Sequence, residues 1–286
     1  MNEKLPLISV IIPAHNSKET IETAIESIAL QTYPNLEIIV IDDNSTDKTE
    51  GVVKALIKKY PCISYYALPF DDPKRFSKSG RNVNAGYAAR NYGFEKARGE
   101  WITFQDADDA SLLNRIEVQY ELAKKYSAVH VCIDWQKFDR GLLGKKLDVD
   151  KIIKEKQNII IEPKELIALA KKTKGILIPF IGPINQLIPF EWKRLRVINK
   201  LFFGSLEAYP GTGNSPLFKR EVIEKVKFRP LSERIWPSFV GRGADRDFNF
   251  QVAETFGNSI ALKLPLYMWR VKNQNDRYID CRKYIL

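Results

Sequence analysis

Along its first 140 residues the chain alternates short, unbroken β-branched runs with stretches in which apolar positions recur every three or four residues. Leu7 to Pro13 (LISVIIP), Leu36 to Ile41 (LEIIVI), Ile63 to Leu68, Trp101 to Gln105 and Val129 to Asp134 read as strands. Runs without polar alternation suit strands covered on both faces. Between the first two, Ile21, Ala24, Ile25, Ile28 and Ala29 mark one face of a helix, with Ser17 the expected N-cap and Glu19 and Glu22 in its first turn. Ser45 or Asp47 is expected to cap a second helix that buries Val52, Val53, Leu56 and Ile57. Asn82 to Ala97 predicts a helix whose small face (Gly86, Ala89, Gly93, Ala97) can lie close on a sheet, and Leu113 to Tyr126 predicts another. This alternation implies an α/β fold: an open, mostly parallel sheet flanked by helices, with right-handed crossovers.

The pattern changes near residue 140. Three regions follow: an α/β half at 1–139, a basic and apolar insertion at 140–204, and a C-terminal region at 205–286 that completes the same domain. In the insertion, Pro163 starts a short helix (Lys164 to Lys172), and a proline-interrupted apolar run from Gly175 to Phe190 leads into Trp192, Lys193, Arg194 and Arg196. In the last region a helix is expected from Phe250 to Phe256, stopped by Gly257.

Composition narrows the chemistry. The chain has 286 residues, 44% of them apolar, enough for one large domain or two small ones. Its net charge of +10 is concentrated between Arg140 and Lys200, where fourteen Lys and Arg face six Asp and Glu. Such a block suits an anionic partner or membrane surface, and equally a solvated helical face. Three cysteines without a C-x-x-C spacing support neither a disulfide framework nor a thiolate metal site, and two histidines leave any divalent ion to carboxylates. No export signal or membrane span is visible in the sequence, so a cytoplasmic location is expected.

The polar clusters fall after the strands: Pro13-Ala14-His15-Asn16, Asp42-Asp43-Asn44-Ser45, and Asp106-Ala107-Asp108-Asp109. Open α/β sheets bind ligands beyond these strand ends. Neither a G-x-G-x-x-G turn nor a G-x-x-x-x-G-K-[ST] loop is present, which removes dinucleotide dehydrogenases and P-loop NTPases. Two aspartates one residue apart at a strand end can instead share Mg²⁺ or Mn²⁺, which completes its shell with phosphate oxygens and water.

SVIIPAHN, QTYPNLEIIVIDDNSTDKT and NAGYAARNYGFEKARGEWITFQDADD, in this order and spacing, resemble the nucleotide-sugar-dependent glycosyltransferases of family 2, which have the GT-A fold. The resemblance runs through Leu7–Asp134 and resumes at about Gly211–Asn275. It implies that Pro13, Ala14 and His15 pack on a nucleobase, although the family usually has an aromatic ring at His15. It further implies that Asp43 accepts a hydrogen bond from the base, that Arg81 or Arg90 faces the diphosphate, that Asp106 lies near the ribose, and that Asp108, with Asp106, holds Mn²⁺ or Mg²⁺. Read without the resemblance, Asp42 to Ser45 would make a turn and cap a helix.

Gly243-Ala244-Asp245-Arg246-Asp247 resembles the family's Glu-Asp signature, with Ala244 in place of Glu. Asp245 matches the general base, with Asp247 as the competing assignment and a plain helix cap as the structural one. The resemblance implies an inverting transfer from a UDP, GDP or dTDP sugar to a glycan or lipid-linked acceptor. Thr212 to Arg220 resembles the stretch beside the donor sugar and acceptor, and Tyr267 to Asn273 a strand and loop over the diphosphate, with Lys272 where the family often has histidine. Trp236 and Trp269 are candidates to stack on a sugar, or else core. Clustered cations beside apolar residues in 140–200 also fit a peripheral membrane contact. The alternatives are a sugar-nucleotide-binding protein without turnover, a nucleotidyltransferase, which should carry an early Gly-rich loop that is missing here, and nucleic-acid binding through the basic stretch.

Overall fold

A computed structural model of the chain describes residues 4–72, 86–156, 158–174, 192, 195, 197, 208–230, 233–236, 243–270 and 282–286. Their centre is a nine-stranded sheet: β1 (Ile8–Ala14), β2 (Leu36–Asp42), β3 (Ile63–Ala67), β4 (Trp101–Phe104), β5 (Ala110–Ser111), β6 (His130–Lys137), β7 (Ile160–Ile161), β8 (Leu217–Lys219) and β9 (Ser259–Trp269). The order is β3-β2-β1-β4-β8-β6-β9-β5, with β7 also on β9. Strands β3, β2, β1 and β4 run parallel, as do β6 and β9, whereas β8 is antiparallel between β4 and β6. The short antiparallel β8 joins the parallel set β3-β2-β1-β4 to the parallel pair β6-β9, and β5 and β7 run antiparallel to β9.

Helices cover both faces. Ile8, Val10 and Ile12 of β1 pack with α1 (Ile21–Ala29), α2 (Thr49–Lys59) and α4 (Arg115–Lys125). Ile11, with Ile39 and Ile41 of β2, faces the other side, where α3 (Tyr87–Lys96), α7 (Val222–Lys225) and α8 (Ala244–Phe256) lie. Successive strand side chains point to opposite faces, so this alternation is the pleat itself. The small face of α3 does what its spacing implies: a methyl group on Gly93 would stand 2.5 Å from Ile11 Cγ2. Each large apolar side chain removed from water here contributes roughly 1.5–3 kcal/mol. The insertion supplies α5 (Val149–Glu155) and α6 (Pro163–Thr173), the latter beginning at the expected proline.

Several boundaries differ from the sequence reading. β1 continues through Pro13 to Ala14, because Ala14 still pairs with Asp42 of β2. Ser17 does not cap α1: its hydroxyl turns back to the His15 carbonyl, while its own carbonyl accepts from Thr20 and Ile21 N–H. Asp47, by contrast, accepts from Thr49 N–H at the start of α2. The helix α8 begins at Ala244, six residues before Phe250, with Gly243 in the left-handed region at φ +82° just ahead of it. The apolar run Gly175–Phe190 lies outside the described residues.

Candidate active site

The first wall is made by the loops after β1 and β2, which are laced to each other. Asn16 Oδ1 accepts from Thr46 N–H at 2.7 Å, Ser45 Oγ accepts from Asn16 N–H at 2.9 Å, and His15 Nδ1 lies 2.6 Å from the Asp43 carbonyl. The aspartate pair divides its work. Asp42 makes the turn, accepting from Ser45 N–H at 2.7 Å and from the Tyr65 hydroxyl at 2.8 Å. Asp43 continues the edge, its N–H donating to the Ala14 carbonyl at 2.7 Å. Ala14 is buried at the strand end, and His15 is exposed beside it.

The second wall is the acidic segment after β4. Carboxylate oxygens of Asp106, Asp108 and Asp109 all lie within 4.8 Å of one another. Asp108 is exposed, Asp106 is partly so, and Asp109 is buried. Arg90, on α3, meets Asp106 Oδ1 at 2.5 Å, with its guanidinium 5.6 and 5.5 Å from the ring centroids of Phe104 and Phe228. Gly86 links the two walls. A methyl group there would stand 3.0 Å from Arg90 Nη1 and 3.5 Å from Pro13 Cβ. Arg81 lies outside the described residues, as do Val271, Lys272 and Asn273.

Tyr267, fully buried on β9, holds the acidic segment in place. Its hydroxyl donates to Asp109 Oδ2 at 2.8 Å and accepts from Asp106 N–H at 3.3 Å and Asn214 Nδ2 at 3.2 Å. Arg270 closes the segment from behind, its N–H donating to Asp109 Oδ1 at 2.7 Å and its Nε to the Asp108 carbonyl at 2.8 Å. Burial, then repulsion from Asp106 and Asp108, pushes the Asp109 carboxyl up to about 8. The Asp106 carboxyl is raised too: burial outweighs Arg90, and Asp108 and Asp245 add to it. Three crowded carboxylates offering only oxygen fit a hard divalent cation such as Mn²⁺ or Mg²⁺.

The third wall comes from the far end of the chain. Asp245 lies in the first turn of α8, close enough for its charge to bear on Asp106. A Cβ on Gly213 would stand 2.5 Å from Asp245 Oδ2, the Gly213 carbonyl accepts from Asn249 Nδ2 at 2.8 Å, and Asn214 Nδ2 donates to Asp106 Oδ2 at 2.6 Å. Two consecutive residues therefore tie α8 to the acidic segment. The position of α8 is set by aromatic packing: Phe248 stacks on Phe228 with centroids 4.3 Å apart and also meets Phe94, Phe104 and Phe218. Each such pair adds about 0.5–1.5 kcal/mol beyond its buried area.

Asp247 has other work. It is fully buried and accepts from Arg229 Nε and Nη2, the N–H groups of Ile235 and Trp236, and Gln251 Nε2. Trp236 is core, stacked with Phe250 at 5.6 Å, whereas Trp269 is 41% exposed and edge-on to Trp135. Ala244 is buried in the aromatic core. In the sequence, Gly213 and Asn214 stand out only within the stretch beside the donor sugar and acceptor, and Tyr267 only at the start of the strand and loop over the diphosphate; the contacts they make with Asp106, Asp109 and Asp245 emerge only in the fold. Asp109 carried a signal as the third acid of DADD; a tyrosine within an apolar strand carried none.

The family model for glycosyl transferase family 2 matches residues 9–194, well over half of the chain. Over 157 residues the chain is 35% identical to a Campylobacter jejuni protein named GalNAc(5)-diNAcBac-PP-undecaprenol beta-1,3-glucosyltransferase, a match covering 53% of this chain and 47% of that protein. Over 119 residues it is 31% identical to an Escherichia coli UDP-Glc:alpha-D-GlcNAc-diphosphoundecaprenol beta-1,3-glucosyltransferase, covering 42% of each. The chain thus spans less than half the length of these relatives. Among solved structures, S. aureus TarS 1-349 in complex with UDP aligns with a TM-score of 0.56 at 16% identity, covering 92% of this chain and 60% of that one. A Pyrobaculum calidifontis mannosyltransferase in complex with GDP-Man and Mn²⁺ aligns with a TM-score of 0.53 at 17% identity, covering 94% and 58%. At these identities the likeness is one of fold.

Proposed function

Because the chain belongs to glycosyl transferase family 2 and has the GT-A fold, we propose that it moves a sugar from a nucleoside diphosphate sugar to an acceptor hydroxyl, with inversion at the anomeric carbon. The observation that carries this reading is the Gly213–Asn214 link, which brings the Asp245 turn of α8 against the acidic segment of β4. The β4–β8 pairing and the packing of Phe248 bring residues more than one hundred positions apart into this one place.

Pro13, Ala14 and His15 border the nucleobase, and Asp43 accepts from it. Arg90, the one of the two candidate cations that lies among the described residues, faces the diphosphate. Asp106 and Asp108 would hold the cation, with Asp109 held by Tyr267 and Arg270 behind them. Bound Mn²⁺ or Mg²⁺ would neutralise the charge that grows on the departing diphosphate. Asp245 accepts the acceptor's proton as that oxygen attacks from the side opposite the leaving nucleotide, and inversion follows from this single displacement. Asp247 is not available for this step, since its carboxylate is enclosed by donors.

Neighbours of the same fold are in complex with UDP and with GDP-Man, which supports a nucleoside diphosphate donor and leaves the base open among UDP, GDP and dTDP. The names of the C. jejuni and E. coli relatives support a lipid-linked glycan acceptor and a role in polysaccharide biosynthesis. No helix among the described residues is long and apolar enough to cross a membrane. Trp192, Leu195 and Val197 are exposed at 62%, 57% and 72%, which supports a peripheral contact with the cytoplasmic membrane face where such an acceptor is met.

The test is a thermal-shift panel of UDP, GDP and dTDP sugars with and without Mn²⁺, on the native chain and on Asp108→Ala, followed by a transfer assay with the stabilising donor. One donor should stabilise only with metal, by about 2.7 kcal/mol at one hundred times its Kd, and the variant should lose that response. An equal response in both proteins overturns the metal assignment; binding without transfer or hydrolysis overturns the enzymatic one.

A further inference from the structure

Where β6 ends, the chain opens a second recess that none of the roles above uses. A cleft of about 370 Å³ is lined by Lys137, Phe138, Asp139, Arg140, Leu142 and Arg282, among others. Among the described lining residues three are cations and one is a carboxylate. Their placement is built rather than incidental. Phe138 N–H donates to the Trp269 carbonyl at 2.9 Å and so continues the β6–β9 pairing. Asp139 Oδ1 accepts from Gly141 N–H at 2.8 Å, which starts a single 3₁₀ turn over Arg140–Leu142. Arg282 is brought in by a C-terminal segment pinned beside the insertion, through Asp148 N–H to the Tyr284 carbonyl at 2.7 Å and Leu286 N–H to the Lys146 carbonyl at 2.9 Å. Its guanidinium stands 3.9 Å from Asp139 Oδ2, in the cleft it lines with Lys137 and Arg140.

The cleft also borders the reaction. Arg270 lies with its guanidinium 3.8 Å from the Phe138 ring centroid, and the same group holds the Asp108 carbonyl. One side chain therefore touches both the wall of the cleft and the segment proposed to hold the donor's cation. A recess that gathers several Lys and Arg around one aromatic wall suits a dianionic phosphoryl group, whose oxygens take several charge-assisted hydrogen bonds at once.

We propose that this cleft binds the phosphate or diphosphate of the acceptor, holding it beside the donor site by Lys137, Arg140 and Arg282. The proposal rests on the transferase reading and adds the acceptor's charge to it. The phosphoryl group anchors one end of the acceptor, and a hydroxyl at its sugar end is thereby offered to Asp245.

The test uses the full chain and inorganic pyrophosphate as the probe, titrated calorimetrically in EDTA. Without metal the three carboxylates repel pyrophosphate from the donor site, so binding reports the cleft. Lys137→Gln/Arg140→Gln changes two exposed side chains and should leave the fold and the affinity for UDP with Mn²⁺ unchanged within twofold. Pyrophosphate affinity should fall at least tenfold in this variant. Equal pyrophosphate affinity in the two proteins, or no binding to either, overturns the proposal. In a second arm, vesicles of phosphatidylcholine with and without phosphatidylglycerol separate a soluble phosphoryl ligand from a headgroup surface. Loss of vesicle binding in the variant with pyrophosphate binding unmoved also overturns it. Failure of every nucleotide to bind with Mn²⁺ would strike the transferase reading and leave the pyrophosphate result standing by itself.

Discussion

Gly213 and Asp245 are packed so closely that the glycine has room for no side chain: a methyl group would stand 2.5 Å from Asp245 Oδ2 and 3.0 Å from its Cβ. In Gly213→Ala the Asp245 side chain must turn away while the fold adapts, because the obstacle is one short side chain at a partly exposed helix start. Displacement of a catalytic group by about 1 Å costs on the order of a hundredfold in rate. The expected outcome is a kcat lower by about that factor with donor Kd unchanged, read from initial rates and nucleotide titration. An unchanged kcat would show that Asp245 is not the base.

The two acids of the same helix turn should part company on substitution. Asp245→Asn is expected to fold normally and lose roughly 10²–10⁴-fold in kcat. Asp247→Asn should instead destabilise the protein by about 3–5 kcal/mol, since it leaves Arg229 and two backbone N–H groups facing a neutral amide in a buried site. Urea unfolding and single-turnover kinetics on both variants decide between them. Matching stability losses would refute the division.

Much of this was legible because it rests on short-range pattern. The β-branched runs became β1, β2, β3, β4 and β6, and the small face of 82–97 became the close approach of α3 to β1. Asp43, Asp106 and Asp108 could be picked out because each follows a strand. What stayed hidden depends on contacts distant in sequence. Nothing local distinguishes Tyr267 from a core tyrosine, since its partners Asp106 and Asn214 stand 161 and 53 residues away. The sequence pattern predicts only the Phe250–Phe256 part of α8, because Ala244 to Asn249 carries alternating charges rather than an apolar stripe; its start is fixed by Asp247 and Phe248 packing inward.

His130 makes stability depend on acid. It is fully buried, with Nε2 2.9 Å from Asn249 Oδ1 and Nδ1 3.1 Å from Ser259 Oγ, and burial pulls it down from the usual imidazole range to about 4. The unfolded chain binds this proton near pH 6.5 and the folded one only near 4, so between these values unfolding takes up a proton. Stability from the neutral ring is full above pH 6.5 and is lost as pH falls, by roughly 3 kcal/mol once pH drops below 4. Denaturant midpoints from pH 7 to 4 should therefore fall less steeply in His130→Gln than in the native chain. Parallel slopes would mean that the ring titrates normally. Asn249 also holds the Gly213 carbonyl, so acid should loosen the Asp245 turn before the sheet, visible as faster amide exchange at Gly213.

Tyr267 separates support of the acidic segment from ligation itself. Its hydroxyl bonds to Asp109, Asp106 N–H and Asn214, yet it is buried behind the carboxylates and offers nothing to a nucleotide. Tyr267→Phe keeps the ring in the core and removes one oxygen. Asp109 is then left a buried carboxylate without its side-chain donor, and Asn214 keeps only Asp106. Loss of such a hydrogen bond costs about 1–3 kcal/mol of stability, and loss of the partner that orients a metal ligand typically costs 10–100-fold in metal affinity. Mn²⁺ titration followed by electron paramagnetic resonance should show that weakening, and saturating Mn²⁺ should restore most of kcat, because Asp106, Asp108 and Asp245 all remain. Asp108→Ala should not be rescued by added metal. If Mn²⁺ binds Tyr267→Phe as tightly as the native chain, the hydroxyl has no part in shaping the site and Arg270, Arg90 and Asn214 suffice to hold the segment.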